Sequence, residues 1–180
     1  MTEETGIIRA VLEGDTESFR LLVLRYEKPI IRMIANLIND RHICEDLAQE
    51  VFLAAYKKLP SFNPARSSFS TWLFTIAKNK SINAAKKKRI LLAGNPPENP
   101  DFSEPADSLI RNELFVKLDG ALKSLNPEHR RALVLAEFEN LPYEQIAQIE
   151  GVRIGTIKSR INRAKHKLRS ALEGIDGDIK

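Results

Sequence analysis

Between residues 153 and 172 the chain carries Arg153, Lys158, Arg160, Arg163, Lys165, Lys167 and Arg169 and not one acid. Cations on one helix-length segment can neutralise phosphates, and an α-helix fits the major groove of duplex DNA. Ile157, Ile161, Ala164, Leu168 and Leu172 step through the same segment at helical spacing and form one apolar stripe. A solvated amphipathic helix explains the stripe but not the charge, because solvated faces normally mix both signs. At the N-terminal end Thr156, Lys158, Ser159, Arg160 and Arg163 are placed to read base edges or to fix the phosphate backbone. Arg153 and Lys167 extend that surface, and Gly155 keeps the backbone slim enough for close approach.

A second group mixes aromatics, amides and cations: Phe62, Arg66, Phe69, Trp72, Lys78, Asn79, Lys80, Asn83 and the run Lys86-Lys-Lys-Arg89. That mixture suits single-stranded nucleic acid. Bases stack on aromatic rings or enter pockets lined by hydrogen-bonding side chains, while lysines follow the phosphates. Phe74 and Ile76 read as core, and Trp72 as partly structural. A third group, Asp46, Gln49 and Glu50, falls at i, i+3 and i+4 and shares one exposed helical face opposite Leu47, Val51 and Ala54. Spacing alone makes it an ordinary solvated acidic face.

Catalysis finds no support. His42, His129 and His166 are isolated, Cys44 has no partner cysteine, and no glycine-rich phosphate loop occurs. No enzyme activity, metal or cofactor is expected. A lone cysteine fits a reducing cytoplasm. No apolar run approaches the ~20 residues that span a bilayer, and the acidic start argues against a secretory leader.

The net charge of +4 conceals an uneven distribution. Residues 1–94 hold 15 Lys/Arg against 10 Asp/Glu, residues 95–120 hold 2 against 6, and residues 121–180 hold 11 against 8. Two basic lobes therefore flank an acidic connector, a pattern that suits a polyanionic partner.

Helices must position these groups, since almost nothing reads as strand. Asp15 caps a helix bearing Phe19, Leu22, Val23 and Tyr26. Pro29 is expected to kink or restart it, with Ile30, Ile31, Ile34, Leu37 and Ile38 continuing the apolar face. After a break at Asn39 and Asp40, a third helix buries Ile43, Leu47, Val51 and Ala54 and stops at Leu59-Pro60. Residues 61–68 read as a loop, and a long helix follows from about Phe69 to Leu92. Gly94, Pro96, Pro97, Pro100 and Pro105 make residues 93–106 a flexible linker.

Beyond the linker, Asn126-Pro127-Glu128 is a strong helix start, and Leu141-Pro142 ends that helix. A short helix from Tyr143 to Glu150, a turn at Gly151-Val152 and a long helix from Ile154 have helix-turn-helix proportions. Ala147 is small where the two helices would cross, and Gly151 suits a turn with positive φ. The expected class is all-α: about four helices, a Pro-rich linker, then about four more.

Three segments of the second half, Asn126-Pro-Glu-His-Arg-Arg131, Leu141-Pro-Tyr-Glu-Gln-Ile-Ala147 and Gly155-Thr-Ile-Lys-Ser-Arg-Ile-Asn-Arg-Ala-Lys165, resemble region 4 of extracytoplasmic-function (ECF, group 4) sigma factors of the sigma-70 family. In the first half, Glu45-Asp-Leu-Ala-Gln-Glu-Val-Phe52 resembles region 2.2, and the stretch from Phe69 to Asn83 resembles regions 2.3 and 2.4. The resemblance covers roughly residues 7–90 and 108–172. It implies a sigma region 2 domain over 1–92, the linker over 93–106 and a sigma region 4 domain over 107–180.

By that resemblance Asp46, Gln49 and Glu50 meet the β′ clamp helices of bacterial RNA polymerase core, and the second lobe meets the β flap. Phe62, Arg66, Trp72, Lys78, Asn79 and Asn83 bind the −10 element, with Asn79 lining the flipped-base pocket and Phe62 at its mouth. Arg153, Gly155, Thr156, Lys158, Ser159, Arg160, Arg163 and Lys167 bind the −35 element. Trp72 is followed by Leu73 where housekeeping relatives pair aromatics, which implies weaker intrinsic melting and a stricter promoter requirement. Asn63-Pro-Ala-Arg66 stands where many relatives have an Arg-Gly-Asp/Glu-type turn, so the −10 preference does not follow. A membrane-bound anti-sigma factor is the further partner implied, with a cytoplasmic chain that is monomeric when free. The competing reading, a helix-turn-helix regulator without sigma activity, shares the second lobe but gives the first no role.

Overall fold

The computed structural model describes residues 3–38, 40–92 and 118–172, and every regular element among them is helical. The Pro-rich linker expected over 93–106, Asn39 and the start of the second helical unit lie outside the described residues, as do the side chains of Lys88, Arg89 and Leu172.

The first lobe contains α1 (Glu3–Leu12), α2 (Phe19–Ala35), α3 (Arg41–Lys58) and α4 (Phe69–Leu92). Local chemistry sets their ends. The Asp15 carboxylate accepts from the Ser18 N–H at the 3-10 turn that leads into α2, and Asp40 caps α3 through the Ile43 N–H at 3.1 Å. Ser68 Oγ accepts from the Thr71 N–H at 3.2 Å and starts α4. Leu22, Ile30, Met33, Ile34, Val51, Leu59, Leu73 and Phe74 are almost wholly enclosed where α2, α3 and α4 meet.

The lobe has four helices, but they are not the four expected. Glu3–Leu12 forms α1, pinned to α2 by Arg25 to Glu3 at 2.6 Å and by the Tyr26 hydroxyl donating to Glu4. Burial and the bond to Glu4 raise the Tyr26 pKa. Nor does α2 restart at Pro29, which lies inside one continuous helix. Leu22, Ile30, Met33 and Ile34 are buried together there, and that packing outweighs the hydrogen bond a proline removes. The buried face of α3 is also turned from the expected one. Cys44, Ala48, Phe52 and Ala55 join Leu47 and Val51 inside, while Ile43 is exposed and Ala54 half-buried. Helix α3 packs against both α2 and α4, so it buries a wider arc than one neighbour would cover.

The second lobe contains α5 (described over 118–123), α6 (Pro127–Glu137), α7 (Tyr143–Glu150) and α8 (Ile154–Leu172). Asn126 caps α6, its side-chain oxygen accepting from the Glu128 N–H at 2.9 Å with Pro127 in the first turn. Gly151 closes α7 in the left-handed region, φ 72° and ψ 35°, where a Cβ would be strained. Ile157, Ile161 and Ala164 are buried, Leu168 is half-buried, and Ala147 is buried beside them.

The lobes touch, mainly through α4 and α7. Thr71 Oγ1 donates to Gln145 Oε1 at 3.1 Å, Gln148 Nε2 to the Arg66 carbonyl at 3.1 Å, and Arg32 Nε to Glu139 Oε1 at 2.6 Å. Arg130 donates to the Asn36 carbonyl, yet its buried Nε finds no partner among the described residues.

Candidate nucleic-acid interface

The turn after α3 is built on Asn63. Its side-chain oxygen accepts from the Ala65 N–H at 2.9 Å, and its carbonyl from the Arg66 N–H at 3.0 Å. Just before it, Phe62 lies 5.3 Å from Trp72 and 5.7 Å from Phe69 between ring centroids. Phe69 is buried, whereas Phe62 and Trp72 are half-buried and reach the surface beside the turn, as Tyr26 does on the α2 side of Phe69.

Trp72, Asn79 and Asn83 recur on one stripe of α4. Asn79 and Asn83 are exposed one turn apart, and Arg66 is exposed on the loop. Lys78 is separated from them. Its ammonium donates to the Ile149 carbonyl in the last turn of α7 at 2.5 Å, and burial holds its pKa below the ordinary lysine value. A cation there also meets the negative end of the α7 dipole.

On α8 the outward arc holds Gly155, Thr156, Lys158, Ser159 and Arg163, all exposed, with Arg153 exposed at its start. A Cβ at Gly155 would meet no atom within 4 Å, so packing within the chain does not demand glycine there. Lys167 is exposed, with its ammonium on the Ser124 carbonyl at 2.6 Å. Arg160 differs from the rest: its guanidinium is engaged by Glu128 and Glu150. Asn162, which the charge pattern passes over, is exposed between Ser159 and Arg163. The signal for it lay in the helical period rather than in charge, since an amide on that arc can pair with adenine.

Asp46, Gln49 and Glu50 are exposed together on α3. Glu50 pairs with Lys80 of α4 at 2.7 Å, which joins this face to the −10 candidate helix. Leu53, 54% exposed, extends the same row, and Gln49 borders a groove shared with Val23, Glu27 and Ile31 of α2. An apolar residue one turn beyond an acidic row was the available signal for Leu53. Cys44 is buried with its thiol donating to the Ile38 carbonyl at 3.3 Å. Among the described residues no cluster of His, Cys, Asp and Glu could hold a metal, and no helix is long and apolar enough to cross a membrane.

The molecule is thus a pair of small helical lobes, one carrying an aromatic-amide stripe and the other a basic helix-turn-helix. Residues 22–90 match the family model for sigma-70 region 2, and residues 115–168 match the one for sigma-70 region 4. The chain is 32% identical over 189 residues to the RNA polymerase sigma-H factor of Pseudomonas aeruginosa, covering 96% of this chain and 95% of that one. It is 29% identical over 185 residues to the ECF RNA polymerase sigma-E factor of Escherichia coli, covering 94% of each. Its fold is similar to that of the sigma factor RpoE of Bartonella quintana, solved in complex with the anti-sigma factor NepR. That match has a TM-score of 0.75 at 26% identity, covering 87% of this chain and 98% of the other. CnrH, solved with the cytosolic domain of CnrY, shares the fold at a TM-score of 0.71 and 22% identity.

The chain belongs to the sigma-70 family, in its extracytoplasmic-function class. It is an RNA polymerase sigma factor, a specificity subunit that binds core polymerase and directs promoter-specific initiation of transcription.

Proposed function

We propose that this sigma factor divides its work among three surfaces, with domain limits at 1–92, 93–106 and 107–180. Asp46, Gln49 and Glu50 dock on the β′ clamp helices of core polymerase, and Leu53 adds apolar area beside them. Charged groups at such a contact set register and partner choice more than bulk affinity. Phe62, Trp72, Asn79 and Asn83 capture unpaired bases of the −10 element, with Arg66 and Lys78 on the phosphates. The exposed arc of α8, from Arg153 through Gly155, Thr156, Lys158, Ser159 and Arg163 to Lys167, reads the −35 duplex, and the second lobe also meets the β flap.

The observation that supports this division best is the exposure of Asn79 and Asn83 on the stripe that begins at Trp72. Amides beside an aromatic cluster are hydrogen-bonding groups for bases rather than for a duplex backbone. Lys78 reaches phosphate only when the lobes part, because in the present arrangement it is committed to α7.

Separate losses test the assignment. Alanine at Asp46, Gln49 or Glu50 should weaken association with core polymerase while the free chain keeps its affinity for −35 duplex. Loss of duplex binding with normal polymerase association would contradict it.

Control by a membrane-bound anti-sigma factor belongs to the same proposal, the chain itself being cytoplasmic and monomeric when free. The Bartonella quintana relative, solved with an anti-sigma factor, supports it. Affinity capture from native membranes should recover such a partner, and capture that yields polymerase alone would count against it.

A further inference from the structure

The cations of α8 look alike in sequence, but their partners differ: Lys165 pairs with Glu137 alone at 2.8 Å, whereas Arg160 is held by acids of two other helices. Arg131 of α6 grips Glu150, the last residue of α7, with two hydrogen bonds of 3.0 and 2.7 Å. The same carboxylate faces Arg160 of α8 at 3.5 Å, and Arg160 also pairs with Glu128 in the first turn of α6. The side chains of Arg131 and Glu150 are 6% and 2% exposed, and that of Arg160 only 15%. Four charges therefore run in one row through α6 and both helices of the helix-turn-helix.

Two features set this chain of charges apart from an incidental surface pair. Glu150 lies at a helix C-terminus, where the dipole disfavours an acid, so its cations offset an unfavourable placement. Two acids also sit beside a helix whose partner is a polyanion, where electrostatics alone would remove them. Geometry explains both. The fork of Arg160 fixes the second turn of α8 against α6 and α7 on either side of the Gly151 turn.

We propose that Arg160 is a positioning residue for promoter recognition, not a contact to base or phosphate, and that Glu150 and Glu128 are the groups it acts through. The inference rests on the −35 reading of α8. The bridge sets the angle at which the exposed arc of α8 presents Lys158, Ser159 and Arg163.

The test uses the full chain bound to core polymerase and −35 duplexes selected from a random library by the unaltered chain. Arg160→Lys keeps the charge but cannot span two carboxylates. It should lose about tenfold for the selected duplex, as Arg160→Gln does, and keep its affinity for unrelated duplex within about twofold. Glu128→Gln alters an exposed group and should not disturb folding. It should weaken selected-duplex binding although it removes a negative charge near DNA. The ratio of selected to unrelated affinity is the readout, because a partly unfolded sample lowers both alike and leaves the ratio unmoved.

Rescue by Arg160→Lys, with a salt slope shallower by about one for Arg160→Gln, would make Arg160 a phosphate contact and overturn the proposal. Relaxed preference at a single base pair would make it a base reader and overturn it equally. Tighter binding by Glu128→Gln would leave only electrostatics. An unaltered chain that selects no duplex would instead overturn the −35 reading of α8, and the bridge with it.

Discussion

The two lobes hold their nucleic-acid surfaces on helical cores of opposite character. In the first, the buried polar groups among the described residues are hydroxyls: Thr71 bonds Ser68 nearby and Gln145 across the seam, and Ser81 donates to the Ala77 carbonyl at 2.7 Å. The rest of its core is apolar, and Asn79 and Asn83 project from α4 without entering it. In the second lobe a buried ion pair, Arg131 with Glu150, lies in the core and reaches α8 through Arg160. Surface and core are separable in the first lobe and joined in the second. Substitutions of Asn79 and Asn83 should thus report recognition alone, whereas some on α8 report recognition mixed with stability.

Arg131→Ala sharpens that contrast most. It leaves Glu150 buried without its main partner, a loss of about 3–5 kcal/mol where a buried pair is broken on one side. Hydrogen exchange should show the second lobe opening early while α2–α4 keep their protection; equal loss in both would mean that the lobes unfold as one unit. Lys158→Ala or Arg163→Ala should cost about 1–3 kcal/mol with relaxed preference at one −35 position if the side chain reads a base. A uniform loss across sequences with a shallower salt dependence would mark a phosphate contact instead.

Asn79→Ala should spare −35 duplex binding and impair open-complex formation by about 1–3 kcal/mol, the scale of one captured base. Equal loss of both activities would sink the pocket assignment. The smallest effect belongs to the seam. Arg32 is 45% exposed but the side chain of its partner Glu139 only 6%, so Arg32→Ala should cost about 1 kcal/mol of stability, more than a fully exposed pair would. Small-angle scattering would then show a modest shift toward separated lobes, and no change would place the hold on the lobes in the α4–α7 contact.

What could be read from sequence was whatever local chemistry decides. Asn126 before Pro127, Gly151 after Glu150 and the stripe Ile157, Ile161, Ala164 all follow from caps and helical period, and the structure has each. Reading failed where tertiary packing chooses between local options. Cys44, Ala48, Phe52 and Ala55 formed a second apolar stripe on α3, and only the presence of two neighbouring helices decides how much of both is buried. Glu3–Leu12 escaped notice because Gly6 and two acids obscure a short apolar face that α2 completes. Pro29 signalled a break that core packing overrides.

At the candidate surfaces the residue types were plain, but their partners were not. Spacing grouped Lys78 with Asn79, and only the second lobe, packed against α4, separates them. Spacing likewise grouped Arg160 with Lys158 and Arg163, and only folding brings Glu128 and Glu150 to it from two other helices.

The most direct measurement is reconstituted run-off transcription with the purified chain, bacterial core polymerase and fragmented genomic DNA. Transcripts that require both proteins, with two shared sequence blocks upstream of their start sites, are the result expected of one chain with two DNA-reading lobes. Duplex binding without polymerase association or new transcripts would contradict it and leave the first lobe without a role.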